Sequence, residues 1–300
     1  MPGITSQSSE ARLLQEGINA VAGMSYEDKP RQYDAIFETK KSTKAYEVDV
    51  SLSGLGLAGS VPEGSSIGYD AEKQDFVTSY IHGVFGLGTI ITMQAQMNNL
   101  KRDLIMQAGT MLKRTLVHTD EQLAADVINN AYTVNIGDGQ PLFSTAHVLG
   151  KGGTFSNQFT AFTPFSASAL EDANIAIDDF RDGANLLADV KAVKLHIPRQ
   201  LRYDVSRVLE SVTGPNSANT STHNPMYDDV VPHVNNRFTS ATDWFLQTDA
   251  PNGFCRYERF AEGYIFETDN DFGTSNYRHK GLLYNSYGLT DPRAAFGSGT

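Results

Sequence analysis

Residues 92–132 read TMQAQMNNLKRDLIMQAGTMLKRTLVHTDEQLAADVINNAY, and this stretch decides the fold. Its apolar side chains, with one threonine, recur every three or four positions, which is the period of one helix face. They are Met93, Met97, Leu100, Leu104, Ala108, Met111 and Thr115, continued by Leu112, Leu116, Leu123, Val127, Ile128 and Ala131. The pattern predicts a helix of about 35 to 40 residues, a rod of roughly 50–60 Å. The segment Thr119-Asp120-Glu121-Gln122 has the form of a capping box and predicts a kink or restart near His118.

Composition limits the classes of function that are open to the chain. Its 300 residues carry a formal net charge of −11, which argues against tight electrostatic binding of nucleic acid. The single Cys255 excludes an internal disulfide and fits a reducing compartment. The first 30 residues lack a signal-peptide pattern, and no apolar run approaches the ~20 residues of a membrane span. We therefore expect a soluble protein that is made inside the cell.

The first third of the chain predicts an arm and a hairpin. Residues 1–34 are polar with a weak amphipathic patch, which predicts an N-terminal arm that is ordered only against something else. Residues 46–52 alternate strictly, so they predict a strand with one face buried. Residues 76–81 are also β-prone, and the two segments predict a long hairpin over 44–82. Its glycine-rich tip has little to pack on within its own chain.

The remaining two thirds of the chain are predicted to form short helices and short strands. Residues 142–165 indicate irregular structure. Ser168 and Glu171 form a second capping box, which predicts a helix that ends at Gly183. The other predicted elements are a strand at 193–197, a helix from Leu201 to Val212 ended by Gly214, a polar loop at 214–229, an edge strand at 230–234 that contains Pro232, a strand at 243–247, and several Tyr- and Phe-rich strands over 254–289.

Two glycine-rich motifs lie in the predicted hairpin tip. Neither is flanked by the secondary structure that its chemistry requires. Residues 54–59 match the dinucleotide fingerprint, but a turn-like segment follows where a helix must hold the pyrophosphate. Residues 64–68 match the nucleophile elbow of hydrolases around Ser66, but no strand-to-helix turn surrounds it. A loop explains both motifs better.

The remaining reactive side chains form no constellation that predicts chemistry. None of the seven histidines has the paired helical spacing of a zinc site. Cys255 with a distant histidine is a possible nucleophilic pair, but a small buried hydrophobe explains it better. His147 lies in a polar turn, where we expect a backbone hydrogen bond rather than catalysis. A solvated turn explains Asp269, Asn270 and Asp271 better than a cation site does. The sequence therefore predicts no catalytic, cofactor-binding or metal-binding residue and no enzymatic activity.

Several segments together give the chain a family resemblance over about residues 90–295. The sequence resembles the tailed-phage major capsid proteins of the Hong Kong ninety-seven fold and is most similar to the Mu-like major head subunit group. The resemblance rests on residues 138–147 with Gly152-Gly153 and Ser156-Asn157, on residues 193–198 with Leu201 and Val208-Leu209-Glu210-Ser211, on Asp243-Trp244-Phe245-Leu246, and on the closing Asp291-Pro292-Arg293.

The resemblance implies an α+β fold of the capsid type, with a long spine helix and five segments. Residues 1–34 are then the N-terminal arm, 35–82 the extended hairpin loop, and 83–165 a peripheral domain that contains the spine helix. Residues 166–265 are the axial domain, and 266–300 return to the peripheral domain. Some family members cross-link lysine to asparagine, but no matching pattern surrounds Lys40, Lys41 or Lys44, so we carry no cross-link over.

The function that we predict is structural. Many copies form an icosahedral shell around the double-stranded DNA of a tailed phage or prophage, as pentamers and hexamers held by quasi-equivalent contacts. The expected partners are the chain itself, a scaffold, a portal and decoration proteins, with the host cytoplasm as the location before assembly and the virion after it. One alternative is another virion subunit, such as a tail tube or sheath. A second is a hydrolase that uses Ser66 or Cys255 with His147.

Overall fold

The computed structural model describes residues 31–97, 102–213, 223–260 and 263–299, and its fold combines helices and strands as predicted. The helices are α1 (Met93–Met97), α2 (Arg102–Asn129), α3 (Ala167–Asp178) and α4 (Arg202–Leu209). The strands are β1 (Glu38–Lys41), β2 (Tyr46–Leu52), β3 (Gln74–Ile81), β4 (Gly83–Ile91), β5 (His147–Val148), β6 (Thr154–Phe155), β7 (Ala192–Pro198), β8 (Val231–Asn235), β9 (Trp244–Thr248), β10 (Phe254–Glu258), β11 (Tyr264–Asn270), β12 (Tyr277–Leu289) and β13 (Ala295–Ser298). The predicted arm lies mostly outside the described residues.

Two sheets and a hairpin organise these strands. The larger sheet is built on β12, which pairs with β10 and β11 and, separately, with β4, while β1 extends it beyond β10. The smaller sheet has the order β13-β9-β7-β8, so β8 is an edge strand, as its proline predicts. Strands β2 and β3 pair antiparallel and form the predicted hairpin. Strand β4 was not predicted, because three glycines interrupt its apolar pattern.

The long helix is confirmed over the 28 residues of α2, about 42 Å at 1.5 Å per residue. The last predicted residues, 130–132, form turns, and residues 98–101 lie outside the described part. The predicted face is confirmed at Leu112, Leu116 and Ile128, which are buried where the helix packs against the larger sheet. It is wrong at Met111 and Thr115, which are exposed.

The predicted restart near His118 is wrong, because α2 runs through it without a break. The Thr119 hydroxyl donates to the carbonyl of Thr115, as a threonine inside a helix does. Asp120 and Glu121 are buried and make tertiary contacts instead of capping bonds. The Glu121 carboxylate accepts the backbone N–H of Gln32 at 2.8 Å, which fixes the chain where the predicted arm enters the fold.

A buried polar network joins α2 to the larger sheet. The Asp120 carboxylate pairs with Arg256 of β10 at 2.9 Å and accepts hydrogen bonds from Tyr264 and Asn285. The Arg256 guanidinium also lies over the ring of Tyr33 at 4.7 Å. Burial acts to lower the pKa of Arg256, but the combined electrostatic effect of Asp120 and its neighbours Tyr33, Glu258 and Tyr264 is larger and raises that pKa. The helix is thus held to the sheet by charge as well as by apolar packing.

The smaller sheet packs on α3 around the main apolar core. The side chain of Ser166, rather than the predicted Ser168, caps α3 by accepting the N–H of Ala169. The helix ends at Asp178, with Asp179 as its C-cap, before the predicted Gly183. At Gly183 the chain passes very close to Ser53, since a Cβ atom on Gly183 would lie 2.5 Å from the Cβ of Ser53. A glycine is therefore required where this loop meets the hairpin.

The other local predictions agree with the structure except at their ends. Residues 142–165 are irregular apart from β5 and β6. The strands predicted at 193–197, 230–234 and 243–247 are present as β7, β8 and β9, and the strands predicted over 254–289 are β10, β11 and β12. Helix α4 ends at Leu209, short of the predicted Val212. Of the predicted polar loop, 214–222 lie outside the described residues.

The predicted division into peripheral and axial domains stays a prediction. Strand pairing does not follow its boundaries. Strand β10 falls within the predicted axial segment but pairs with β12, and the C-terminal β13 joins β9 of the smaller sheet. Likewise β1, within the predicted hairpin segment, pairs with β10.

The Asp120 network gives the first prediction. Asp120→Asn removes the closer of the two carboxylates that pair with the buried Arg256 and leaves only Glu258 at 3.7 Å, so we expect the free energy of unfolding to fall by about 3 kcal/mol. Asp204→Asn is the matched control, because Asp204 pairs with Arg207 on the exposed surface of α4 and should cost about 1 kcal/mol or less. Urea unfolding of both variants measures the difference. Equal losses would contradict a special role for the buried pair.

Candidate functional site

The β2–β3 hairpin carries its apolar side chains outward. One face of β2 is buried, as predicted, but it is the polar face, with Glu47, Asp49 and Ser51 towards the body. The opposite face is exposed and apolar: it presents Tyr46, Val48, Val50 and Leu52 of β2 with Val77 and Ile81 of β3. Tyr46 stands opposite Ile81 and Val50 opposite Val77, so these side chains form two apolar cross-strand pairs. We call this set of six residues the outer hairpin face.

Hydrogen bonds fix the inner face of the hairpin to the body. The Tyr257 hydroxyl donates to the Asp49 carboxylate at 2.7 Å, and the hydroxyls of Tyr80 and Thr290 bond at 2.7 Å. Phe76 and Tyr80 of β3 are buried. The two strands of the hairpin therefore lie against the body of the chain, because polar and aromatic groups on the inner face find partners there.

Arg293 is the centre of the strongest of these attachments. Its guanidinium pairs with Asp291 at 2.7 Å and with Asp75 of β3 at 2.9 Å, and it lies over the Phe76 ring at 5.3 Å. Ser51 of β2 donates to Asp291 at 3.5 Å. Burial acts to lower the pKa of Arg293, but the hydrogen bonds and charges of the two carboxylates raise it. The closing Asp291-Pro292-Arg293 segment therefore clamps both strands of the hairpin.

The loop beyond the clamp is the most exposed part of the described chain. Every residue from 55 to 74 is exposed, including Leu57 at 84% and Tyr69 at 97% of their reference areas. Leu55, Val61 and Ile67 are exposed as well. One ion pair ties the loop down: Lys151 contacts Asp70 at 2.6 Å and is the main cause that lowers the pKa of Asp70 to about 2. The loop thus offers five apolar side chains to solvent.

Both glycine motifs lie in this loop. No helix follows residues 54–59 before β3 begins, so the structure offers no helix N-terminus for a pyrophosphate there. Ser66 lies in the same irregular, exposed segment, without the strand-to-helix turn of a nucleophile elbow.

The structure does not bring the candidate hydrolase residues together. Cys255 is buried on β10 in a cluster with Tyr80 and Tyr257, and burial raises its pKa. Ser66 is exposed on the loop. His147 is buried, and its two ring nitrogens bond the side chains of Asp138 at 2.6 Å and Asn157 at 3.2 Å, not the backbone as expected.

His147 instead belongs to a structural hub. Asn157 accepts the N–H of Ser144 and donates to the carbonyls of Leu142 and Pro292. These bonds tie the irregular 138–157 region to the segment that carries the Arg293 clamp. This explains why the motif residues at 138–147 and 156–157 occur together.

Metal ligands and membrane spans are not found in the described part of the chain. Within residues 31–97, 102–213, 223–260 and 263–299, no three His, Cys, Asp or Glu side chains are grouped as metal ligands. Asp271 instead bonds Thr274, Gly273 and Arg278 of its own turn. None of the described helices has the length and apolar character to cross a bilayer.

The comparison with protein families decides the identity. A family model described as phage capsid protein matches residues 77–297. The chain belongs to the phage capsid protein family. It is a capsid structural protein, and its place is the virion. The Mu-like group is a finer assignment than this match supports. No curated protein matches the chain.

Solved capsids have the same fold at low sequence identity. The capsid of a native GTA particle matches with a TM-score of 0.57 at 9% identity over 91% of both chains. The capsid of Ralstonia phage GP4 matches with 0.56 at 12% identity, over 87% of this chain and 85% of that one. The procapsid of bacteriophage JBD30 matches with 0.52 at 13% identity, over 97% and 75%.

The Arg293 clamp gives the second prediction. Arg293→Met leaves Asp75 and Asp291 buried without their cation, so we expect the root of the hairpin to open more often. Hydrogen exchange should become at least about tenfold faster for β3 amides, since 1.4 kcal/mol is a factor of ten, while α3 amides change less. Arg181→Met is the control, since the Arg181 side chain pairs with Asp179 at the surface. Unchanged β3 protection would argue against the clamp.

His196 gives the third prediction. It stacks on Phe245 at 4.7 Å and bonds Gln247 at 2.8 Å, and burial lowers its pKa to about 3. The unfolded chain has the ordinary pKa near 6.5, so below that pH it binds the proton that the folded chain refuses. His196 should therefore lower the free energy of unfolding by about 1.4 kcal/mol per pH unit from 6.5 down towards 3.

A comparison with His196→Gln isolates this proton from all other groups. Urea unfolding at pH 7, 6, 5 and 4 should show a shallower pH dependence for the variant by about 1.4 kcal/mol per unit. Parallel curves would show that His196 does not titrate between the folded and unfolded states.

Proposed function

We propose that this protein is the major head subunit of a tailed phage or prophage, and that its copies form an icosahedral shell around double-stranded DNA. The observation that carries the proposal is the apolar surface of the outer hairpin face and of loop 53–73. Extended apolar surface is rare on soluble monomers and marks sites that another molecule covers. Within a capsid family, the molecule available in large numbers is another copy of the chain.

The hairpin presents this surface in a fixed orientation. Its inner face is bonded to the body by Tyr257 and Arg293, so little conformational entropy remains to be lost when a neighbour covers the outer face. Head-to-tail contacts of this kind close into rings when the rotation between copies closes. A subunit with several neighbours gains avidity, so each contact can be weak.

The proposal includes the five segments that the family resemblance implies. We assign 1–34 as the arm, 35–82 as the hairpin with its loop, 83–165 and 266–300 as the peripheral domain and 166–265 as the axial domain around the axes of pentamers and hexamers. The likeness to the Mu-like head subunits favours that group. The proposed partners are a scaffold, a portal and decoration proteins, and the subunit awaits assembly in the host cytoplasm. The net charge of −11 disfavours tight electrostatic binding of DNA, so we propose that the shell encloses the DNA without binding it tightly. We propose no catalytic activity.

The fourth prediction tests the loop. Deleting residues 54–64 should leave a soluble subunit that forms no stable shells, because the deletion removes the exposed Leu55, Leu57 and Val61 but no buried side chain. A variant of full length, with these three residues changed to serine, should behave in the same way. Size-exclusion chromatography and negative-stain electron microscopy measure assembly, and circular dichroism measures folding.

Ser66→Ala is the matched control in the same loop. It should assemble like the natural sequence, because it changes an exposed polar residue of the loop and none of its apolar side chains. Normal, heat-stable shells from the deletion variant would contradict the role of the loop. Helical tubes from the natural sequence would favour a tail subunit, and a strict monomer or dimer under all conditions would oppose the proposal as a whole.

A further inference from the structure

Three arginines surround His118 on the exposed side of α2. The guanidinium of Arg237 donates to Nδ1 of the His118 ring at 2.8 Å, and Nε of Arg114 points at Nε2 of the same ring at 3.4 Å. Arg31 lies near enough for its charge to act on the ring. We call Arg31, Arg114, Arg237 and His118 the arginine cluster. Such a cluster is unexpected in a chain whose net charge is −11.

The hydrogen-bonding groups of the His118 ring are not all satisfied within the cluster. A neutral imidazole has one N–H group and one nitrogen that accepts, so it cannot accept from both arginines. The shorter bond, from Arg237, assigns Nδ1 as the acceptor, and Nε2 then carries the proton. The N–H of Nε2 therefore faces the N–H of Arg114, and these two donors have no acceptor between them. An oxygen of a bound anion would accept from both.

The charges of the cluster are also left without close counter-ions. None of the ion pairs between described residues includes Arg31, Arg114 or Arg237. Burial lowers the pKa of His118, and the only charged groups that act on the ring, the three arginines, lower it further. The ring is thus surrounded by positive charge alone.

Two carboxyl groups lie within the electrostatic range of Arg31, but they do not neutralise the cluster. Glu121 is buried, one of its oxygens accepts a backbone N–H at 2.8 Å, and burial raises its pKa. Desolvation raises the pKa of Asp34 as well. The neighbouring Asp120 is already paired with Arg256. Even with Glu121 and Asp34 both ionised, three fixed cations face two carboxylates.

The cluster is held in place before any ligand arrives. The side chain of Asn235 accepts the N–H of Arg237 at 2.9 Å, and the side chain of Asn129 donates to the Arg237 carbonyl at 3.2 Å. Arg114 lies one turn before His118 on the long helix α2. A site with positions fixed in this way loses little conformational entropy on binding.

We propose that the arginine cluster is a binding site for a phosphate group. Arginine keeps its charge and presents several N–H donors in a planar fork, which suits the oxygens of phosphate. One such fork satisfies both oxygens of a carboxylate, whereas guanidiniums that converge from three segments fit an anion with more oxygens. A phosphodiester of DNA and a free phosphate ion share this chemistry. The DNA source rests on the proposed shell, whereas the site itself does not.

Binding of the anion should be coupled to protonation of His118. In the free subunit, burial and the charges of the three arginines disfavour the imidazolium form. A bound anion offsets those charges and raises the pKa of His118, so the ring takes up a proton on binding. By linkage, the affinity for the anion rises as the pH falls through the pKa of the bound form.

Equilibrium dialysis tests the site with dimethyl phosphate, a phosphodiester whose single charge is constant between pH 5.5 and pH 8. The natural sequence should bind it about tenfold more tightly at pH 5.5. His118→Gln should remove this pH dependence, and Arg114→Gln should weaken binding by about tenfold. Arg199→Gln is the matched control, because Arg199 is exposed in the turn between β7 and α4. Circular dichroism checks that each variant is folded.

Three results would contradict the site. The first is equal binding by the natural sequence, Arg114→Gln and Arg199→Gln. The second is acetate binding as tightly as dimethyl phosphate, since a carboxylate of a protein partner would then serve as well. The third is tighter binding when Glu27→Gln and Asp28→Asn are combined, since the chain's own carboxylates would then be the occupant. Dialysis counts bound anion in free and assembled subunits alike, so a failure to form shells leaves these results readable.

A short DNA duplex identifies the source of the phosphate. If the source is DNA, the subunit should bind the duplex more tightly than dimethyl phosphate, with an affinity that falls as salt rises. Arg114→Gln should weaken duplex binding by about tenfold, and Arg199→Gln should leave it unchanged. A duplex that binds no better than dimethyl phosphate would overturn the DNA source and support the free ion as the ligand of the same site.

Discussion

A single guanidinium, that of Arg293, is shared by two buried carboxylates on different parts of the chain. Asp75 lies on the hairpin and Asp291 on the segment before the last strand, and all three side chains are almost fully excluded from water. An unpaired charge in such a place is strongly destabilising, so none of the three tolerates the absence of the others. The inner face of the hairpin can therefore be polar, and the outer face is left free to be apolar.

The same constraint explains what the sequence predicts and what it does not. Period and alternation located the long helix, the hairpin strands and three of the four strands of the smaller sheet, because local side-chain spacing reports local structure. The fourth strand, β13, was not predicted. The orientation of β2 could not be found in this way. Its alternation is compatible with either face inward, and the choice depends on Tyr257, Asp291 and Arg293, which lie more than 200 residues away. The helix restart predicted from the capping box at Thr119 was wrong for the same reason, because Asp120 pairs with Arg256 on a strand far away in the sequence.

The candidate site was predictable in outline only. Glycine-rich composition marked the exposed loop, and the motif residues around His147 marked a constrained region without showing that their role is structural. The arginine cluster gave no signal, because Arg31, Arg114 and Arg237 are far apart in the sequence and meet only in the folded chain.

The placement of β13 has a consequence for the order of folding during synthesis. This strand, residues Ala295–Ser298, pairs with β9 and brings Phe296 into the main apolar core. Because the chain is made from its N-terminus, β9 keeps an open edge until residues 295–298 have been made. The Arg293 clamp lies two residues before β13 and becomes available at the same late stage. A hairpin that is fixed by the clamp therefore belongs to a chain that has been made at least as far as residue 293.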